Sequence, residues 1–423
     1  MTGDEREALA IEAGRIFTPA TPVNEEALFA GRMDQIRKVV DAINQRGQHA
    51  IIFGERGVGK TSLSNIIASK LRVRGTEILA PRVNCDSTDD FVSVWKKAFS
   101  QIDLISKTPA MGFQMSIFEE TKKAADVVGD EIAPDDVRRI LTLMSSTRLV
   151  MIIIDEFDRL ANQTARRAMA DTVKALSDNA VWATLVIVGV ADSVDELIAE
   201  HQSIERALVQ IQMPRMSREE LHEILDKGTS RLGMTVTDDA KRRISLLSQG
   251  LPHYTHLLGL HATRAALDSG ELRITPEHVD AAIAKAVGET QQSLRSAYRR
   301  AVTSPRKDNI YAHVLLACAL AKTDDFGYFA AAAVRRPLST IMRRPYDIPG
   351  FSKHLNDFCG KEKGPILRKT GVKHKFRFRF ENPLMQPLII MQGLVDRRID
   401  PKTLEQANGN QGERHSLSNC PAA

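Results

Sequence analysis

The sequence predicts a doubly wound α/β domain on a parallel sheet, followed by an all-helical region and a basic C-terminal domain. Three observations carry this. Leu149-Val150-Met151-Ile152-Ile153-Ile154 and Thr184-Leu185-Val186-Ile187-Val188-Gly189-Val190 are unbroken apolar runs of the kind that parallel strands buried on both faces require. Strand and helix patterns alternate between His49 and Val190, as a wound α/β sheet demands. From about Pro214 only helical periodicity remains, until strict alternation returns in Lys375-Phe376-Arg377-Phe378-Arg379-Phe380.

Residues 1–22 end in Thr18-Pro19-Ala20-Thr21-Pro22, whose prolines favour an extended N-terminal segment. A helix through Ile43 then precedes the short strand His49 to Phe53, and Ser62 to Leu71 carries apolar residues at helical spacing. Glu77 to Asn84 reads as a second strand and Phe91 to Ile102 as a helix, while residues 107–133 read as an insertion. Pro134 opens a helix to Ser146, and Thr164 to Ser177 forms the helix between the two apolar strands. Ser217-Arg218-Glu219-Glu220 is a capping box, and Thr275-Pro276-Glu277 opens another helix. Ile310 to Ala321 and short stretches near 327–342 and 350–358 are helical, ahead of a two-stranded hairpin. Three helices and a hairpin suggest a winged helix, and the Asn- and Gly-rich tail from 401 is expected to be disordered.

Gly54-Glu55-Arg56-Gly57-Val58-Gly59-Lys60-Thr61 fits the phosphate-binding pattern G-x-x-x-x-G-K-[ST] at every fixed position, between a strand and a helix. Glycines let the main chain wrap a polyphosphate, and its amides with the helix N-terminus supply partial positive charge. Gly54, Gly57, Val58, Gly59, Lys60, Thr61 and Ser62 are therefore the expected nucleotide-binding residues, with ATP and Mg²⁺ as the ligands. Lys60 is expected on the β- and γ-phosphates and the Thr61 hydroxyl on the metal. The run ending at Ile154 leads into Asp155-Glu156. A carboxylate there can ligate the metal, so Asp155 is the second metal candidate and Glu156 the candidate to polarise an attacking water.

With these residues the chain resembles the AAA+ ATPases, especially the initiator (origin-recognition) clade, and the related ATPases of the STAND signalling class, over about residues 23–395. The resemblance implies an AAA+-type P-loop sheet with a helical lid and a C-terminal winged helix. Its divisions would be an extended 1–22, a nucleotide-binding domain at 23–213, a lid at 214–290, a basic winged helix at 291–400 and a tail at 401–423. It places Gly31 and Arg32 of Phe29-Ala30-Gly31-Arg32 on the adenine side, Asp192 as the polar sensor of the fourth core strand, and Arg206 as a finger reaching a neighbouring subunit's nucleotide. A solvated or salt-bridged arginine is the alternative for Arg206. Gly250-Leu251-Pro252-His253 is similar to the STAND G-x-P motif and stands where the initiator clade carries an arginine. Pro252 thus becomes a nucleotide contact, and a slow, nucleotide-gated switch is implied rather than fast turnover. His253, His256 and His261 offer no complete metal-ligand set, and Met111 to Met115 reads as packing.

The net charge of +5 is unevenly spread: residues 291–380 hold 19 Lys and Arg against 6 Asp and Glu, leaving 39 against 47 elsewhere. Such a block meets phosphate backbones or an acidic protein surface. Lys373, Lys375, Arg377 and Arg379 are wing candidates for DNA, and Lys353, with His354 and Asn356, is the helix candidate. Docking of an acidic effector protein is the alternative, and a homo-oligomer or a partner protein is the expected assembly. Four widely spaced cysteines exclude a disulfide framework, and the charged N-terminus and the lack of long apolar runs point away from secretion and membranes, so a reducing cytoplasm is the expected compartment.

Overall fold

The computed structural model describes residues 2–408, apart from 23–24, 26–27, 73–77, 110–116, 130, 147, 192–193, 195–201, 307, 325 and 373–374. Two compact units divide the chain: residues 23–55 with 59–213, and residues 1–22 with 56–58 and 214–423.

The chain starts with a helix, Gly3–Ile16 (α1), which corrects the expectation of an extended segment over 1–22. Thr2 and Glu5 form a reciprocal cap in which each side chain accepts from the other's amide, at 3.2 and 2.7 Å. The prolines act only after Phe17, where the helix has already ended.

In the P-loop unit, Met33–Ile43 (α2) leads to His49–Gly54 (β1) and Lys60–Arg72 (α3). The edge comprises Ile78–Leu79 (β2) and Arg82–Asn84 (β3), both paired with the same neighbour. The single strand expected there is interrupted because Pro81 has no N–H to give the ladder; its carbonyl still accepts from Ile153 at 3.0 Å. Outward, the Arg82 amide donates to Gln101 Oε1 at 3.1 Å and the Arg82 carbonyl accepts from Gln101 Nε2 at 2.7 Å. Phe91–Phe99 (α4) follows. The stretch read as an insertion holds an antiparallel hairpin, Asp103–Pro109 (β4) with Ile117–Lys123 (β5), and a turn of helix at Ala124–Val127 (α5). Pro134–Met144 (α6), Leu149–Asp155 (β6), Gln163–Asp178 (α7), Ala183–Val190 (β7) and Leu208–Gln212 (β8) complete the unit.

All pairings of the main sheet are parallel, and the strand order runs from β2 and β3 through β6, β7 and β1 to β8. Alternate residues Ile51, Phe53, Ile152, Ile154, Leu185 and Ile187 join Trp95, Phe99, Leu141 and Val173 in one core, from α4, α6 and α7. The opposite face, with Ile52, Ile153 and Val186 buried, packs on α2 and α3. Burial on both faces explains why these strands read as unbroken apolar runs. Burial of each such side chain contributes roughly 1.5–3 kcal/mol.

In the second unit, Arg218–Arg231 (α8), Thr235–Val236 (β9), Asp238–Ser248 (α9), Pro252–Asp268 (α10), Arg273–Ile274 (β10) and Pro276–Glu289 (α11) form a helical array pinned by the short β9–β10 pair. Helix α1 packs on α10 and α8. Phe17, 1% exposed, fills a notch opened by two glycines: a Cβ on Gly228 would lie 2.4 Å, and one on Gly259 2.9 Å, from its ring. The His256 ring meets Phe17 edge-on, and His253 Nδ1 is 2.7 Å from the Pro19 carbonyl.

Helices Gln292–Val302 (α12) and Tyr311–Ala319 (α13), strand Phe329–Ala330 (β11), helices Ala331–Met342 (α14) and Pro349–Phe358 (α15), and strands Leu367–Thr370 (β12) and Arg377–Phe380 (β13) follow. The hairpin expected from sequence gains a third strand, in the order β11-β13-β12. Phe378 and Phe380 are buried, whereas Phe376 lies ahead of β13, half-buried under the Lys369 ammonium. Met385–Val395 (α16) brings Gln386, 3% exposed, to Gln249 Oε1 and the Ala319 carbonyl at 3.1 and 2.8 Å. Residues 214–423 fall in one compact unit, and the Gln386–Gln249 bond links the regions expected at 214–290 and 291–400. Residues 401–408 correct the expected disorder: Pro401–Asn408 (α17) is helical, capped by Asp400 on the Thr403 amide at 2.8 Å, with Leu404 buried. Residues 409–423, and Met111 to Met115, lie outside the described residues.

Each unit contains a buried neutral histidine. His49 Nδ1 accepts from the Leu185 amide at 3.0 Å, and burial pushes its pKa down to about 4; His256 is pushed down to about 4 by burial and then by neighbouring His253. Between pH 6.5 and 4 the unfolded chain binds protons that the folded one refuses, so stability is full above about 6.5 and is lost as pH falls through that window. The expected loss is about 3 kcal/mol per histidine. Urea midpoints at pH 7.5 and 4.5 check this, and His49→Gln or His256→Gln should flatten the dependence.

Candidate nucleotide site

The phosphate-binding loop leaves β1, where the strand order reverses around that strand, and enters α3. Its shape depends on glycine. Gly57 and Gly59 have φ of 88° and 94°, and a Cβ on Gly54, φ 150°, would lie 2.4 Å from the Met213 carbonyl oxygen. Val58 is buried and Ser62 half-buried. Lys60 is 8% exposed, and its ammonium donates to the carbonyls of Gly54 and Glu55 at 2.9 and 2.8 Å. A cation is thus held inside the loop by the loop's own main chain.

Strand β6 delivers Asp155 to the first turn of α3. Asp155 is 3% exposed; its Oδ2 accepts from the Thr61 hydroxyl at 2.8 Å, and its Oδ1 from the Glu156 amide at 2.8 Å. Glu156 adopts the left-handed conformation at φ 55°, which costs on the order of 1–3 kcal/mol in a residue with a side chain. The bend sends its carboxylate outward, to within 2.8 Å of Arg159. Asp158 closes the neighbouring strand end by accepting from the Val190 amide at 2.8 Å.

Thr61 and Asp155 offer the hard oxygen donors that Mg²⁺ prefers, beside a loop whose glycines allow amides to face an anion, so the donor set fits a magnesium-bound polyphosphate. Lys60, Thr61, Asp155 and the amides of 57–61 are the residues that would hold it. Bound metal would supply charge neutralisation on the phosphate oxygens.

Of the other sequence candidates, Gly31 and Arg32 both lie in the left-handed region, at φ 64° and 63°, and Arg32 is buried at the start of α2. Pro252 occupies the first position of α10 in the second unit. Arg206 is exposed at the end of the 3₁₀ turn Gln202–Ala207. Asp192 and Lys373 lie outside the described residues. Lys353, on α15, and Lys375 are exposed. Arg377 is paired with Asp324 at 2.9 Å and Arg379 stacks over Tyr328, so these two cations are not free charges on a wing.

Sequence reasoning missed Arg82, whose guanidinium lies 2.7 Å from Asp155 Oδ2 and also bonds Asn65 Oδ1. A charged residue in a strand beside the central apolar run was its only signal. It also missed an open cleft of about 580 Å³ lined by Arg335, Arg336, Thr340, Arg344, Tyr346 and Asp347, in which Asp347 pairs with Arg335 at 3.7 Å.

Fold and site together define a P-loop NTPase with an acidic second strand end. A family model, Novel STAND NTPase 1, matches residues 21–304, and the chain belongs to that family. No curated protein matches the chain. Among solved structures the chain is similar to the ORC2 protein of Aeropyrum pernix in ADPNP-ADP complexes, at 14% identity over 94% of this chain and 98% of that one, TM-score 0.49. It is similar to the Aeropyrum pernix ORC1 protein in complex with DNA (15%, 91% and 97%, 0.47) and to Cdc6p from Pyrobaculum aerophilum (15%, 92% and 99%, 0.44). Among the described residues no helix is long and apolar enough to cross a membrane.

Proposed function

We propose that this protein is an ATP- and Mg²⁺-binding switch of slow turnover that meets DNA through a basic C-terminal winged helix. The observation that carries the nucleotide reading is the convergence of Lys60, Thr61 and buried Asp155 around one glycine loop. In this reading Glu156 polarises the attacking water, Asp192 senses the γ-phosphate, and Gly31, Arg32 and Pro252 contact the nucleotide. Arg206 acts as a finger in a homo-oligomer. Calorimetry with ADP or ATP in magnesium buffer tests the core of the reading, and absence of heat from folded protein overturns it.

Support for the winged helix comes from the order helix, strand, helix, helix, hairpin over Tyr311–Phe380, with a three-stranded sheet. Support for DNA comes from the +13 balance of residues 291–380, from exposed Lys353 and Lys375, and from the arginine-lined cleft. Arg377 and Arg379 join them if their partners Asp324 and Tyr328 release them, and Lys373, between Thr370 and Arg377 in the sequence, is proposed with them. Each phosphate contact adds about 0.9 to the slope of log affinity against log salt. Reversing Lys353, Lys375 and Arg336 together is therefore expected to flatten that slope by roughly 3 and to weaken duplex binding at every salt concentration. An unchanged slope would favour the second reading, docking of an acidic effector protein.

A further inference from the structure

Asp155 is supplied with hydrogen bonds beyond what a metal ligand in waiting requires. Its Oδ2, the oxygen that the Thr61 hydroxyl shares, also receives the Arg82 Nη2 at 2.7 Å. The carboxylate side chain is 4% exposed, so its charge is compensated chiefly by this guanidinium. The arginine is 27% exposed and its Nε is buried without a hydrogen-bond partner. Arg82 is thus strongly held at one end and incompletely satisfied along its stem. The other Nη reaches Asn65 on α3, and the Arg82 main chain is clamped by Gln101.

Resting on the nucleotide reading above, we propose that Arg82 is a displaceable counter-cation for the metal carboxylate. It neutralises Asp155 when no metal is bound and must yield that oxygen when Mg²⁺ arrives. Two cations on one buried carboxylate compete, because the second gains less attraction and meets the charge of the first. The swap makes metal occupancy release the Arg82 bridge from β3 to β6 while its bond to Asn65 on α3 stays available. Arg82 is therefore a positioning residue that sets the metal concentration at which the site loads.

Mn²⁺ is the probe. It is titrated into protein saturated with ADP, with bound and free metal separated by electron paramagnetic resonance. Arg82→Met keeps the apolar stem and removes the charge. Its half-saturating Mn²⁺ is expected to fall roughly 5- to 30-fold relative to wild type. Its ADP affinity in EDTA should stay within about two-fold, and its unliganded melting temperature should drop, since Asp155 has lost its counter-charge. A purely structural arginine would not give this opposed pair of changes. If Arg82→Met does not fold, Arg82→Lys, which keeps the charge with shorter reach, is expected to load at an intermediate Mn²⁺ concentration. Equal or weaker Mn²⁺ binding by a variant that retains ADP binding in EDTA overturns the proposal alone. Wild-type protein that binds no ADP with or without Mn²⁺ overturns the nucleotide reading and this proposal with it.

Discussion

Phe17→Ala is expected to destabilise the helical unit by about 3–5 kcal/mol, the range for removing a fully buried aromatic ring. Phe17 is 1% exposed and sits in a notch that exists only because positions 228 and 259 are glycine. With the ring gone, neither Gly228 nor Gly259 has a side chain to fill the space it leaves. The cavity term therefore adds to the lost transfer energy. Helix α1 buries Ala13 and Ile16 besides Phe17, so losing the ring should also release the helix. Urea unfolding measures the energy, and limited proteolysis within residues 3–16 measures the release. A loss below about 1 kcal/mol with unchanged proteolysis would show that the ring does not anchor the helix. Gly228→Ala should mimic the effect, since its Cβ would lie 2.4 Å from the same ring.

Glu156→Gln is expected to lower ATP hydrolysis by about 10²-fold or more while leaving ADP affinity nearly unchanged. The carboxylate follows the buried metal candidate directly, on a residue whose φ of 55° bends it out of the strand. Amide replaces acid at constant shape, so binding contacts survive and only proton acceptance is removed. Steady-state hydrolysis and ADP titration together check it. Hydrolysis within two-fold of wild type would assign water activation to another group and leave Glu156 as the ion-pair partner of Arg159.

The P-loop unit was legible because its determinants are local. Strands buried on both faces must be apolar throughout, and the loop's chemistry is written in eight consecutive residues. What escaped was nonlocal. The segment before Phe17 carries no strong apolar stripe, and its helix depends on a ring meeting glycines more than 200 residues away. Arg82 and Asp155 are 73 positions apart, so no window of sequence pairs them. In the C-terminal part, the alternation of Lys375-Phe376-Arg377-Phe378-Arg379-Phe380 marked the buried Phe378 and Phe380, but not that Phe376 would stay half-buried ahead of the strand or that Asp324 and Tyr328 would take up two of the cations.

The broken edge at Pro81 bears on how copies of this chain can meet. Among the described residues two strand positions precede the interruption and three follow it, and a glutamine amide occupies the outward polar groups of Arg82. Such a rim gives a foreign strand almost no continuous ladder to extend, so the protein is shielded there from runaway cross-β stacking. Across this rim, copies of the protein must be joined through side chains, not by knitting one subunit's sheet into the next.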